Sequence, residues 1–375
     1  MFCLPCLSEG DAFTLEYNVE QSVRGVTSAS RDRRDRETLG QIGGFYAFQT
    51  RGIAVKSIFR SDSWTTSAIP DQSGKVVVIT GANSGLGYEA TKALAEKGAH
   101  VVMACRSIDR GESARDSIRE QFPAASLSVR GLDLASLDSI HSFAEEFTSE
   151  HDSLDVLCNN AGVMALPREE TEDGFEMQFG VNHLGHFALT GQLLDVLETT
   201  SGRSRVVTHS SGVHERGQVD FGDLQSEDSY NKWDAYAQSK LANLLFAYEL
   251  DRRLDSAGAN VLSTACHPGY AATNLQRSGP EQSGSRLRLA MMRVANAVLA
   301  QSAEAGALPM LYAATHGGVT GREYVGPGGL ANMRGAPEVQ ESSERSYDEE
   351  TAERLWEVSE ELTGVEFGLP EINEK

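Results

Sequence analysis

From Lys75 onward, apolar and polar positions alternate in blocks. Val76-Val77-Val78-Ile79 is a short, continuous β-branched run, the pattern of a strand buried on both faces. A glycine-rich turn follows. Residues 85–97 then carry Leu86, Ala90, Ala93 and Leu94 in a helical composition. A second buried strand is predicted over 100–104. The series continues with a helix near 109–121, a strand near 126–132, a helix near 136–149 and a strand over 154–159. A long helical stretch reaches about 199. Next come a strand over 205–208, a helix over about 234–255 and a strand over 260–265, with a last short strand over 323–325. Repeated βα units predict one α/β domain over 70–330, a Rossmann-type doubly wound parallel sheet of about seven strands with helices on both faces.

The flanks read differently. Residues 1–65 show no sustained period, and Arg31-Asp32-Arg33-Arg34-Asp35-Arg36 mixes charges without an apolar face. A disordered N-terminal extension is expected, with a targeting or docking arm, or a misplaced start, as alternatives. Residues 331–375 form a C-terminal extension. Within it, 347–363 places Leu355, Val358 and Leu362 among acids, which predicts an amphipathic helix on the domain edge. The acid-rich stretch 338–350 reads as a solvated face.

Charge narrows the function classes. The 375 residues carry a net charge of −21, which argues against a nucleic-acid partner. Residues 1–60 hold eight basic and seven acidic side chains, so residues 61–375 carry −22. Two readings stay open for that excess: a soluble, self-repelling surface, or adaptation to high salt. The five cysteines (3, 6, 105, 158 and 266) are odd in number and scattered, as in a reducing cytoplasm. Cys3-Leu4-Pro5-Cys6 lacks the following helix or second ligand pair that a redox or zinc motif needs. No apolar run reaches the roughly 18–20 residues of a membrane span, and the start lacks signal-peptide features. A cytoplasmic protein is expected.

Chemistry enters at the first turn. Thr80-Gly81-Ala82-Asn83-Ser84-Gly85-Leu86-Gly87 lies between the first strand and the first helix. Gly81 permits a tight turn, Gly85 lets the backbone approach a pyrophosphate, and Gly87 allows close helix–sheet packing. The helix then directs its positive end at the anion. The second strand ends Ala104-Cys105-Arg106-Ser107. An acid there would bond a ribose 2′-hydroxyl, whereas the Arg106 guanidinium suits a 2′-phosphate. NADP(H) is therefore expected in preference to NAD(H). Asp109 runs against that reading, unless it caps the next helix.

Tyr236-Ala237-Gln238-Ser239-Lys240 sits at a helix start, and positions i and i+4 share a face. An ammonium there favours the phenolate and lowers the tyrosine pKa, so the phenol can exchange a proton with an alcohol oxygen. Upstream, Val206-Val207-Thr208-His209-Ser210-Ser211 ends a strand, where such sheets bind ligands. Either Ser210 or Ser211 can donate to the substrate oxygen.

Together these motifs resemble the short-chain dehydrogenase/reductase family, over about residues 70–330. Asp133-Leu134, Asn159-Asn160-Ala161-Gly162, Val181-Asn182-His183-Leu184-Gly185 and His267-Pro268-Gly269 complete the resemblance. It implies that Tyr236 is the catalytic acid/base. Lys240 would be its pKa partner and a ligand of the nicotinamide ribose, and Ser211 the ligand of the substrate oxygen. It implies that Asn182 holds a proton-relay water and that Asp133 bonds the adenine amino group. Asn159 would steady the central strands, with Ala161 and Gly162 beside the adenosine. Pro268, Gly269 and Thr273 would grip the carboxamide. The subgroup is similar to retinol-dehydrogenase-like reductases, from Ala104-Cys105-Arg106 and Val181-Asn182-His183-Leu184-Gly185-His186-Phe187. No apolar N-terminal anchor of the kind that membrane-bound members carry is found here. Family members often pair through the helix bearing the tyrosine, so a homo-oligomer is one expectation.

His183 and His186 are three residues apart on a helix but lack a third metal ligand at suitable spacing, so packing is expected of them. His209, His214 and His267 are read as structural. Residues 270–300, with Met291, Met292, Val294 and Val298, form the expected substrate lid. The function read from the sequence is hydride exchange between NADP(H) and a small apolar alcohol or carbonyl. The rival is a non-catalytic NADP-binding sensor or interaction protein, which keeps the glycine loop but need not keep Tyr236, Lys240 and Ser211.

Overall fold

The structure is a computed structural model that describes residues 63–269, 301–329, 332–370 and 372. The N-terminal stretch 1–62, the expected lid over 270–300 and Thr273 lie outside the described residues.

The β-branched run forms β1 (Val76–Thr80). Its alternation splits the core into two layers. Val77 and Ile79 face Leu94 of α1 (Gly85–Glu96), Ile118 of α2 (Ile108–Gln121) and Met310 of α8 (Ala303–Thr315). Val78 faces Phe143 of α3 (Leu137–Glu150), Phe187 of α5 (Gly185–Gln192) and Phe246 of α7 (Lys232–Ala257). The other strands are β2 (His100–Cys105), β3 (Ser126–Gly131), β4 (Val156–Asn159), β5 (Ser204–His209), β6 (Val261–Cys266), β7 (Tyr324–Pro327) and β8 (Pro337–Gln340). Their order is 3-2-1-4-5-6-7-8, parallel up to β7. The expected doubly wound sheet is therefore present. Its direction of winding reverses between β1 and β4, which opens a crevice at their C-terminal ends.

An eighth strand joins the seven expected. β8 pairs antiparallel to β7, with Val325 opposite Val339. It lies in the stretch read from the sequence as a C-terminal extension. Pro337 removes a ladder donor, which an edge strand tolerates. The expected C-terminal helix is α9 (Glu349–Thr363), capped by Asp348 and ended by Gly364. It packs on α7, with Trp356 against Phe246 and Phe187.

The long helical stretch before β5 is broken into pieces. α4 (Met177–Phe179) runs into a π-turn (Gly180–Leu184), then α5, then α6 (Leu194–Glu198). The π-turn contains Asn182 and His183, and such turns gather at functional sites. Among the described residues, no helix is long and apolar enough to cross a membrane.

Candidate active site

The glycine loop leaves β1 at the crevice. Gly81 turns the chain at φ +69, a left-handed conformation that favours glycine. A Cβ on Gly87 would stand 2.5 Å from the Gly81 carbonyl oxygen and 2.7 Å from Asn160 Nδ2, so α1 can lie this close only as glycine. Ser84, the residue before α1, makes no side-chain cap bond, which leaves the first-turn N–H groups free of that partner. By contrast, Ser107, Ser136 and Asn231 each cap their helices with a side-chain oxygen. It is Ser107, not Asp109, that caps α2, and Asp109 lies in its first turn.

Gly81, Asn83, Ser84, Gly85 and Leu86 line a cleft of about 330 Å³. Arg106, Asp133, Leu134, Ala161 and Gly162 line it as well. Gly87 lies behind the loop as a spacer. Arg110, which the sequence reading missed, also borders the cleft. Its signal was positional: four residues after Arg106, and three after the Ser107 cap, it shares the face that begins at the end of β2. Asn160, also missed, fastens the loop. Its Nδ2 donates to the Thr80 carbonyl oxygen at 2.7 Å. Asn159 is buried in β4, and its Nδ2 donates to Thr190 Oγ1 on α5 at 3.0 Å. The cradle, the free helix N-terminus and the paired guanidiniums fit a phosphate-rich dinucleotide.

The second group gathers at the ends of β5 and α7. Ser210 and Ser211 point in different directions. Ser210 Oγ donates to the Lys240 carbonyl oxygen at 2.8 Å, while the Ser211 hydroxyl is near enough to the Tyr236 phenol to favour its ionised form. Ser211, the serine that the resemblance implies, is thus the one of the pair beside Tyr236. Lys240 Nζ donates to the His209 carbonyl oxygen at 3.0 Å and stands 5.9 Å from the Tyr236 ring centroid. A Cβ on Gly162 would lie 3.6 Å from that Nζ, so the two groups meet where the cleft reaches Gly162.

The electrostatics differ from the sequence expectation for Tyr236. Burial pushes its phenol up to about 12, against the lowering pull of the Ser211 hydrogen bond. Burial also lowers Lys240, to about 8. The sequence displayed the neighbouring lysine but not the burial that dominates the phenol. Tyr236 is thus a protonated donor at neutral pH.

Asn182 is held in place by its neighbours. Its Oδ1 accepts from Val163 N–H at 2.8 Å, and its Nδ2 donates to the Val163 carbonyl oxygen and to Ser239 Oγ. Its Oδ1 keeps a second lone pair, on the side where a Cβ on Gly162 would meet both Oδ1, at 3.0 Å, and Lys240 Nζ, at 3.6 Å. The Asn182 backbone carbonyl oxygen lies 3.0 Å from His186 Nδ1, and the other ring nitrogen of His186 meets Thr80 Oγ1 at 2.9 Å. His183 Nε2 meets Ser359 Oγ on α9 at 2.9 Å. Burial lowers His186 to about 4 and His183 to about 3, so both rings are neutral packing groups. Pro268 and Gly269 follow β6, where Gln301 Nε2 donates to the Pro268 carbonyl oxygen at 2.6 Å.

Known proteins share this fold and much of this sequence. The family model for short chain dehydrogenases matches residues 75–284. Human retinol dehydrogenase 13 is 41% identical over 330 residues, covering 86% of this chain and 95% of its own. Human retinol dehydrogenase 12 is 40% identical over 336 residues, covering 88% and 99%. A crystal structure of a Mycobacterium paratuberculosis protein is 41% identical with a TM-score of 0.68, covering 82% of this chain and all of that one. A Pseudomonas aeruginosa RhlG/NADP complex, 20% identical at a TM-score of 0.53 over 67% of this chain and 94% of that one, shares the fold. This chain belongs to the short-chain dehydrogenase/reductase family, in its retinol-dehydrogenase-like part, and is an oxidoreductase of CH–OH groups that uses a nicotinamide cofactor.

Proposed function

We propose that this enzyme interconverts a small apolar alcohol and its carbonyl with NADP(H), and that Tyr236 is the acid/base. One observation carries the reading. Tyr236, with the Ser211 hydroxyl beside its phenol, and Lys240 stand one helical turn apart on α7, and the Lys240 ammonium meets the glycine-lined cleft at Gly162.

The first turn of α1 and Gly81–Leu86 would hold the pyrophosphate, Asp133 and Leu134 the adenine, and Arg106 with Arg110 the 2′-phosphate. When bound, the cofactor supplies or accepts the hydride. Ser211 donates a hydrogen bond to the substrate oxygen and stabilises its developing charge. Tyr236, protonated at neutral pH, passes its proton to that oxygen in reduction and takes it back in oxidation. Lys240 places a positive charge beside the phenolate so formed. Met164, Leu166 and Val181 give the cleft an apolar wall, which suits an apolar substrate. Retinoids, named by the relatives, belong in that class.

The test is cofactor oxidation over a panel of aliphatic, aromatic and retinoid aldehydes, with NADPH and NADH in parallel. NADPH is expected to show the lower KM, and Arg106→Asp to reverse the order. Tyr236→Phe is expected to keep NADPH binding while kcat falls roughly 10²–10⁴-fold. NADPH binding without turnover of any carbonyl would remove the catalytic reading, and a wild type that prefers NADH would remove the cofactor assignment.

A further inference from the structure

Ala165 is a non-glycine residue in the left-handed region, at φ +53, and it stands in the cleft wall between Met164 and Leu166. A Cβ in that conformation costs about 1–2 kcal/mol, so the surroundings must hold it. Four polar contacts do so. Gln178 Oε1 accepts the Ala165 N–H at 2.6 Å. Gln178 Nε2 donates to the Tyr230 hydroxyl at 2.9 Å and to the Lys232 carbonyl oxygen at 3.0 Å. The Tyr230 hydroxyl in turn donates to the Leu166 carbonyl oxygen at 2.9 Å. Gln178 is fully buried, where an unmet amide would be costly, yet both of its ends are spent on this loop and its neighbours.

The placement gives the clamp its meaning. At one end of the segment, Gly162 abuts Lys240, and Val163 is tied through Asn182 to Ser239. At the other end, Ala165 is tied through Gln178 to Lys232, the first residue of α7. Residues 162–166 are therefore pinned along the first two turns of α7. Met164 lies midway between the ties, as Tyr236 lies midway between Lys232 and Lys240, and Met164 lines the cleft.

We infer that Gln178 and Tyr230 are positioning residues that keep Ala165 strained, so that Met164 and Leu166 form the substrate-selecting wall beside Tyr236. This rests on the reading of Tyr236 as the acid/base. Met164 touches the substrate, an alcohol or aldehyde with an apolar chain, and the clamp acts only through it.

The test needs no chemistry. Straight-chain primary alcohols of increasing length are titrated into the NADPH-loaded enzyme, a pair that cannot exchange hydride, and NADPH fluorescence reports binding. Gln178→Leu and the milder Tyr230→Phe, which removes a single hydroxyl, are expected to weaken alcohol binding roughly tenfold while the Kd for NADPH stays within about twofold. Met164→Ala is expected to move the preferred chain length upward. Ala165→Gly added to Gln178→Leu is expected to regain most of the lost affinity, because glycine adopts the left-handed turn without a clamp. The inference is overturned if alcohol and NADPH binding fall together, if Ala165→Gly deepens the loss, or if the wild type binds no alcohol of the series. An enzyme that binds the alcohols with this pattern but turns over no carbonyl would overturn the proposed function and leave the clamp standing.

Discussion

Lys240 illustrates a conflict between stability and chemistry at one residue. Its amine is held at about 8 against an ordinary 10.5, because burial strips water from the ammonium. The unfolded chain therefore binds that proton more readily between these values. Stability contributed by this residue is lowest below pH 8 and recovers as pH rises through about 10.5. At pH 7 the difference amounts to roughly 3 kcal/mol. Lys240→Met is expected to raise stability at pH 7 by about 2–3 kcal/mol in urea unfolding, and the gain should fade toward pH 10.5. The His209 carbonyl oxygen keeps its bond from Asn243 Nδ2, at 2.8 Å, so the change orphans no acceptor. The same variant should lose turnover, and wild-type turnover should fall as pH rises through about 8, where the ammonium discharges. A Lys240→Met protein less stable than wild type at pH 7 would contradict this account.

At the level of elements, α9 joins the domain through its apolar face. Trp356 is 2% exposed, its ring centroid 5.1 Å from that of Phe187 and 4.4 Å from that of Phe367, with the Arg253 guanidinium 4.6 Å over its face. Arg252 Nη1 adds an ion pair to Glu349 at 2.8 Å. Trp356→Ala is expected to cost about 3–5 kcal/mol in urea unfolding; a loss under about 1 kcal/mol would mean that α9 sits loosely on α7. That helix was legible because Leu355, Val358 and Leu362 mark one face among acids. β1 and the glycine loop were legible for a similar reason, since a continuous β-branched run and fixed glycine spacing are local signals. β8 was not, because Pro337-Glu338-Val339-Gln340 carries no strand pattern and forms only where β7 offers an open edge. The local pattern at the end of β5 left Ser210 and Ser211 open, and only the resemblance pointed to Ser211, because what separates them is how α7 packs over that strand end. Gln178 and Tyr230 are 52 residues apart and serve loop backbone groups, a relation that no window of sequence displays.

At the scale of the whole molecule, charge is the remaining variable. The net charge of −21 sits on residues 61–375, which carry −22, while residues 1–60 are nearly neutral. Folding draws these carboxylates together, and like-charge repulsion then opposes the compact state. The ion pairs of α2, α3 and their neighbours, such as Arg130–Glu150 and Arg115–Asp116, lie near the surface, where each is worth little and is itself screened by salt. The two effects have opposite signs in salt, and the excess of acid decides which wins. The Debye length falls from about 10 Å at 0.1 M to about 3 Å at 1 M, which removes repulsion between carboxylates that do not touch while costing only weak exposed pairs. The midpoint of thermal unfolding is therefore expected to rise as sodium chloride goes from about 0.05 M to 1 M, and to continue rising into the molar range if the carboxylates are an adaptation to salt. A plateau near 1 M would mark screening alone, and a midpoint that does not move with salt would show that the acidic surface carries no folding penalty. Potassium chloride at matched ionic strength gives the control, since screening depends on charge and concentration rather than on the identity of the cation.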